Sequence, residues 1–457
     1  MRLRPHQVSS EMLAALAVGG GGADAVRPLV AAQYSKHVLL VWGVMDAARA
    51  ADHAQAKLAC RSYELLADIQ QRAPDAVEAV LRHPSVGGWG ERTLRALRAL
   101  PGGGPPPGDG RLAAGEPAQL AALAAAAAIR AGQPCCIEVP VRRGAIMLPS
   151  LGQVVLPPGL PPDCMANLRC TPDGARVIAG RHLVMIPRDA RADMPGWRGL
   201  RLIRAAAGGM AIRLVIDDLD PSRMPTATDL GGRLDPAEAD RWQTALHDAW
   251  ALLVSQPGTT AEEIQTAIQV LTPLAAPARG QLSASSREVF GCAALSPPAD
   301  GPALAVTLAH EVQHAKLAAL LDLVTLTLPD DGQRYYAPWR DDSRPIAGLL
   351  HGTYAYLGVS GFWRWQRQHE DGEAATRAHT EFARWRDAAT MATETLLAST
   401  RLTEAGAAFV SGMRSTLRAW ADDKVPATAA RRARRENEQH RALWRRRNGD
   451  GREPAGT

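Results

Sequence analysis

A chain of 457 residues can bury a large core and, on length alone, divide into two or three domains. Its 46% apolar and 22% charged residues are ordinary for a globular protein, which excludes a fibrous or wholly disordered chain. The net charge of +5 is modest and gathers near the C-terminal end, in Arg431, Arg432, Arg434, Arg435, Arg441, Arg445, Arg446 and Arg447. A nucleic-acid reader would spread that charge over a folded face, so no nucleic-acid partner is expected.

Aromatics are only 5%, and Ala and Leu carry the apolar share, a bias that favours helices because these side chains lose little freedom on entering one. The six cysteines show no C-x-x-C spacing, and adjacent Cys135 and Cys136 are poorly placed to bridge or chelate. No apolar core follows the basic residues 1–8, and the apolar run 120–129 is too short and Ala-rich to cross a bilayer. The expectation is a cytoplasmic protein with free thiols and no membrane partner.

In chain order, residues 30–48 are hydrophobic nearly all round and read as a buried helix. Short helices follow at 63–71 and 75–82, the second opened by Pro74, and Gly87 and Gly88 separate them from a helix near 91–100. Residues 101–110 (PGGGPPPGDG) read as a linker, followed by an Ala-rich helix at 117–131. Then 136–141, 145–148, 153–156, 176–178, 182–186, 201–205 and 210–216 are short β-rich runs broken by Gly and Pro. They close on an acidic turn, Asp217, Asp218, Leu219, Asp220 and Pro221, a pattern more often solvated than cation-binding. Helices resume near Asp235 and cover 242–254 and 261–271, and a single strand-like run at 289–295 precedes a long helix at 304–321. The expected fold is α+β, predominantly helical with a central segregated β region. Its expected parts are an N-terminal helical region at 1–110, a β-rich middle at 111–234, a helical metal-site region at 235–425 and a basic, disordered tail at 426–457.

The chemistry concentrates in the long helix, LAVTLAHEVQHAKLAALL. His310 and His314 are four apart, so both imidazoles leave one face a turn apart, a spacing that suits two ligands about 2.0–2.2 Å from a first-row metal. Glu311 points toward the open side of such a metal, where it takes a proton from a bound water or orients a ligand. HExxH strings arise by chance, and helix histidines are usually surface or core residues. Here Leu304, Val306, Leu308, Val312, Leu317 and Leu321 bury the helix, and buried polar groups need partners that a metal supplies. The third ligand comes from His351, His369, His379, Asp322, Asp341, Asp342, Glu370 or Glu381. His351 is favoured for its apolar neighbours Leu349, Leu350 and Tyr354, whereas His369 lies in a charged, surface-like context. The intervening loop YYAPWRDDSRP carries Arg340 and Arg344, forks suited to a carboxylate, and the hydroxyls of Tyr335 and Tyr336. The competing reading pairs these arginines with Asp341 and Asp342, and Trp339 reads as packing.

The segments SKHVLLVWGVMDAA, YELLADIQQRAPDAVEAVLRHPSVGGW, IDDLDPSR, LAHEVQHAKLAALLDLV and YYAPWRDDSRPIAGLLHGTYAYLGV together resemble the HExxH-motif peptide-modification family. Its members occur alone or fused behind radical SAM cyclophane-forming peptide maturases, and the likeness runs from about residue 6 to about residue 415. The family is similar in function to 2-oxoglutarate-dependent iron enzymes that hydroxylate β-carbons in a ribosomally made precursor peptide. The resemblance implies Fe(II) held by His310, His314 and a further residue, with 2-oxoglutarate and O2 as cosubstrates. It implies Arg344 or Arg340 on the distal carboxylate of 2-oxoglutarate, with Tyr336 a further cofactor-binding candidate. A precursor peptide, and a radical SAM maturase as a second partner, are expected with it. Iron enzymes of this cofactor class mostly use two histidines and a carboxylate, so His351 as third ligand departs from their pattern. Ligands on a helix favour a zincin-like arrangement and argue against a jelly roll. The alternative is a zinc metallopeptidase with Glu311 as general base. A missing downstream glutamate signature and the Arg-bearing loop count against it.

Overall fold

The computed structural model describes residues 5–99, 116–161, 163–224, 231–277 and 281–449. The expected linker at 101–110 lies outside the described residues. Five helices open the chain: α1 (Ser10–Ala17), α2 (Gly22–Ala50), α3 (Ala56–Arg72), α4 (Pro74–Leu81) and α5 (Pro84–Arg98). Gly87 and Gly88 do not separate helices, as the sequence suggested, but lie inside α5. A Cβ on Gly87 would stand 2.5 Å from both the Glu288 carbonyl oxygen and His37 Nε2, so this glycine is a close-packing site and not a break. The following α6 (Leu120–Ala131) is buried over most of its length, its alanines letting α3, α4 and the first sheet approach closely.

That sheet is antiparallel and nearly closes on itself. It is built from β1 (Cys135–Arg142), β2 (Ala145–Leu148), β3 (Gly152–Val155), β4 (Asp163–Thr171), β5 (Gly174–Ala179), β6 (His182–Ile186) and β7 (Trp197–Gly199) in the order β6-β5-β4-β1-β2-β3-β7. The strands β4 and β7 are absent from the runs expected from the sequence. In β4 the outward positions include Asp163, Asn167 and Arg169, which dilute the β signal while Ala166, Leu168 and Cys170 face the core.

A second sheet joins β8 (Arg201–Ala207) and β9 (Met210–Ile216) to strands far along the chain. After α7 (Pro236–Ser255) and α8 (Thr260–Ala267) come β10 (Val270–Pro273), β11 (Ser283–Ala284) and β12 (Cys292–Leu295), giving the order β11-β12-β10-β9-β8. Strand β10 runs parallel to both β9 and β12, a pairing that requires crossovers, and α7 and α8 provide the first. The chain is α+β, but its β structure is not confined to a central segment as expected. The predicted helix at 261–271 likewise stops at Ala267, because Val270 to Pro273 are drawn into this sheet.

The remaining helices are α9 (Gly301–Leu321), α10 (Ile346–Gln366), α11 (Gly372–Ala398), α12 (Glu404–Ala419) and α13 (Ala427–Asn448). The tail expected to be disordered from 426 is helical over α13. Ala429, Ala433 and Trp444 are buried, and Arg384 of α11 pairs with Glu436 at 3.3 Å. Two main cores result, one under the first sheet and one around α9, and α2 serves both. Val26 and Leu29 enter the second core while Val41 and Val44 enter the first. Contrary to its all-round hydrophobicity, α2 leaves Leu39 and Trp42 exposed. Among the described residues no single helix is long and apolar enough to cross a membrane; α1 and α2 pass such a test only as a pair bent by 111°.

Candidate metal centre

Helix α9 starts where Asp300 accepts the Ala303 N–H at 2.8 Å, with Pro302 in its first turn. Apolar nearly all round, it lies in the second core with α7 and α10 against it. Gly358 lets α10 come close at the level of the motif, since a Cβ there would sit 2.8 Å from the Ala309 carbonyl oxygen. The facing helix brings His351 to the pair on α9. The His310 and His314 rings are 4.6 Å apart edge to face, and the His314 and His351 rings are 6.0 Å apart and nearly parallel. All three histidines are half-buried.

Glu311 is sealed from solvent, and its Oε1 accepts the His310 Nδ1–H at 3.0 Å. With Nδ1 engaged by Glu311, Nε2 is the ring nitrogen of His310 left to face a metal. Burial works to raise the Glu311 carboxyl. Its hydrogen bond with His310, the charge His310 and His314 can carry, and the Ser283 hydroxyl outweigh burial and hold it at about 2. Its second oxygen, Oε2, has no partner. Burial, followed by the neighbouring His310, pushes His314 down to about 3. Burial, then the charges of Arg287 and Arg344, pushes His351 down to about 4. The neutral His314 and His351 imidazoles, with their lone pairs free, suit a first-row divalent ion. The fit is one of donor type and proximity: the ligating atoms of these side chains are not all within 4.8 Å of one another.

The other third-ligand candidates are engaged elsewhere or lie outside this group. Asp322 binds Arg287, Lys36 and Gln33; Asp341 pairs with Arg447; Glu370 accepts from Gln366 and Glu381 from Trp385. His369 is exposed against Trp365, and His379 has an unpartnered buried Nδ1 but no contact with the three rings.

The loop before α10 is pinched shut by paired backbone bonds between Tyr335 and Arg344, at 2.8 and 2.9 Å. Arg340 and Arg344 both bind Asp342, at 2.7 and 3.1 Å, which is the intraloop pairing of the competing reading. They nonetheless act on the centre electrostatically, Arg344 on His351 and Arg340 on Tyr356. Tyr336 is not brought to the centre as expected. Its hydroxyl meets His440 Nδ1 at 2.8 Å and its ring packs on Trp444, because α13 folds back over this loop.

Sequence reading misses Tyr356, whose ring stands 5.4 Å from His310. Trp339 stacks on Tyr356 at 4.7 Å and Trp385 adds a third ring at 4.4 Å. Trp339 is therefore packing, as read, but packing that walls the centre. Gly352 makes room for it, since a Cβ there would overlap the indole nitrogen. Nothing in GTYAYLG distinguishes Tyr356, which faces His310, from Tyr354, which is buried and donates to the Leu16 carbonyl at 2.6 Å. Strand β12, which precedes α9, is paired on both sides, and the edge strand is β11, which carries Ser283 toward Glu311.

The acidic turn after β9 is not solvated. Asp217, Asp218 and Asp220 are buried, and with His83 two of them form the one cluster of three metal-ligating side chains, among the described residues, whose ligating atoms all lie within 4.8 Å. A comparison of the chain with protein families and with curated proteins finds no match.

Proposed function

We propose that this chain is an Fe(II)- and 2-oxoglutarate-dependent hydroxylase of a ribosomally made precursor peptide, acting at a β-carbon, with α9 as a zincin-like metal platform. The observation that carries the reading is the meeting of the half-buried His310, His314 and His351 rings beside a loop bearing two arginines. Fe(II) with 2-oxoglutarate and O2 supplies the oxidising chemistry for C–H hydroxylation. His310, His314 and His351 hold the ion, and Glu311 fixes the tautomer and ring of His310. Arg344, with Arg340 beside it, exchanges Asp342 for the distal carboxylate of 2-oxoglutarate, a swap their exposure permits. Trp339, Tyr356 and Trp385 keep water from one side of the centre. The peptide is the partner this chemistry needs, a radical SAM maturase is the second, and six free thiols suit a reducing cytoplasm.

One feature favours the zinc metallopeptidase instead. Glu311 Oε2 is unpartnered, as a general base requires, and the edge strand β11 beside it could pair with an extended peptide. Metal analysis after anaerobic purification, with calorimetric titration of 2-oxoglutarate into the Fe(II)-loaded protein, separates the two. Iron, saturable 2-oxoglutarate binding and O2-dependent succinate release support the hydroxylase. Zinc with no 2-oxoglutarate binding overturns it.

A further inference from the structure

His83 lies at the junction of α4 and α5, and Asp217 and Asp220 lie in the turn after β9. The fold brings them together in the interior, with His83 5% exposed and Asp217 fully buried. His83 Nδ1 faces Ser85 Oγ at 2.9 Å, which leaves Nε2 turned to Asp217 Oδ2 at 3.8 Å. That separation is too long for a hydrogen bond, and neither atom has any other partner. It is close to the spacing of two ligands on one ion, about 3.4 Å for a tetrahedral metal with bonds near 2.1 Å.

The surroundings hold these atoms open instead of satisfying them. Asp217 Oδ1 accepts the backbone N–H groups of Leu219 and Asp220 at 3.1 and 2.9 Å, fixing Oδ2 toward His83. Asp220 Oδ1 accepts the Ser222 N–H at 2.7 Å. Among the described residues, none of the neighbouring cations hydrogen-bonds Asp217 Oδ2 or His83 Nε2, although Arg223 acts on Asp217 and Arg92 on Asp220 through their charge, and Arg92 Nη1 and Arg223 Nε are themselves buried without a partner. Arg201 and Arg233 bind Asp218, Arg223 binds the carbonyls of Asp220 and Gly231, and Arg92 binds the Ser222 hydroxyl. Burial raises the Asp217 carboxyl and lowers the His83 imidazole, so the ionised pair is disfavoured there unless a further charge compensates.

We propose that His83, Asp217 and Asp220 form a second, structural site for a divalent first-row transition-metal ion, separate from the HExxH centre. One imidazole with two carboxylates excludes the all-oxygen preference of calcium and magnesium and suits zinc or manganese. Ser85 plays the orienting part on His83 that a metal-bound histidine needs. The ion ties the end of β9 in the second sheet to the helix junction whose Leu81 and Val86 pack in the first core.

The test uses Zn2+ alone on the chelator-stripped full chain. Wild type binds two equivalents, D217N and H83Q bind one each, and the H310A/H314A double variant binds one. The D217N side chain keeps an oxygen for the Leu219 and Asp220 N–H groups, and the double variant gives an answer even where D217N does not fold. Zn2+ also raises the Tm of the double variant but leaves that of D217N less affected. A double variant that binds no zinc, or a folded D217N that binds as much as wild type, overturns the proposal. If the HExxH reading alone is wrong, wild type binds one equivalent that D217N loses and H310A/H314A keeps.

Discussion

Lys316 on α9 sets its ammonium 2.5 Å from the Glu263 carboxylate on α8, with both groups sealed from solvent. The same ammonium meets the Gly19 and Gly20 carbonyls at 3.1 and 3.3 Å, and Glu263 accepts the Gly22 N–H at 3.0 Å. Lys316 leaves α9 on roughly the opposite side from His314. The clamp therefore fixes the rotation of the helix that presents the histidines.

Removing one partner strands a buried charge. Lys316→Met or Glu263→Gln alone should lower the unfolding free energy by about 3–5 kcal/mol, and a joint Lys316→Met/Glu263→Leu change should recover most of it. Urea denaturation measures both. Single changes that cost under about 1 kcal/mol would show that α9 is anchored by other means.

His351 and His369 are separated by the same experiment. His351→Ala should weaken metal binding by more than the roughly 10–100-fold that loss of an outer partner costs. His369→Ala, at an exposed ring on Trp365, should leave binding unchanged. Equal affinities in the two variants would remove His351 from the ligand set.

The loop arginines should divide stability from affinity. Arg344 and Asp342 are a largely exposed pair, so Arg344→Ala should change stability by under about 1 kcal/mol. If Arg344 binds the cosubstrate carboxylate, the same change should weaken 2-oxoglutarate binding by about 10–100-fold, the worth of a charged hydrogen bond. Calorimetry that finds wild-type affinity in Arg344→Ala, and the loss in Arg340→Ala, would exchange their roles.

His37 gives the acid side of the stability profile. Burial pushes its imidazole down to about 4, aided by Lys36, although its Nδ1–H donates to the Leu81 carbonyl at 2.6 Å. The unfolded chain accepts a proton near pH 6.5 that the folded chain refuses. This contribution is full above pH 6.5, declines as pH falls and is exhausted near pH 4, about 3 kcal/mol in all. Unfolding of wild type and His37→Gln at pH 7 and 4.5 isolates the term from the other buried histidines. Identical losses in the two proteins would mean that His37 takes up its proton without unfolding.

What the sequence determined by itself is local. The spacing of His310 and His314 on an apolar run put two imidazoles on one face of one helix, and the β-rich composition of 136–141 and 210–216 announced β1 and β9, because these preferences are set by a few neighbouring residues. Tertiary structure decided which side chains those elements meet. It selected Tyr356 over Tyr354 and Tyr336 as the ring beside His310, turned a basic tail into a docked helix, and joined β9 to β10 across two helices. Above all it buried an acidic turn against His83, because burial and charge compensation come from residues distant in the chain, such as Arg201 and Arg233, whose approach no local pattern records.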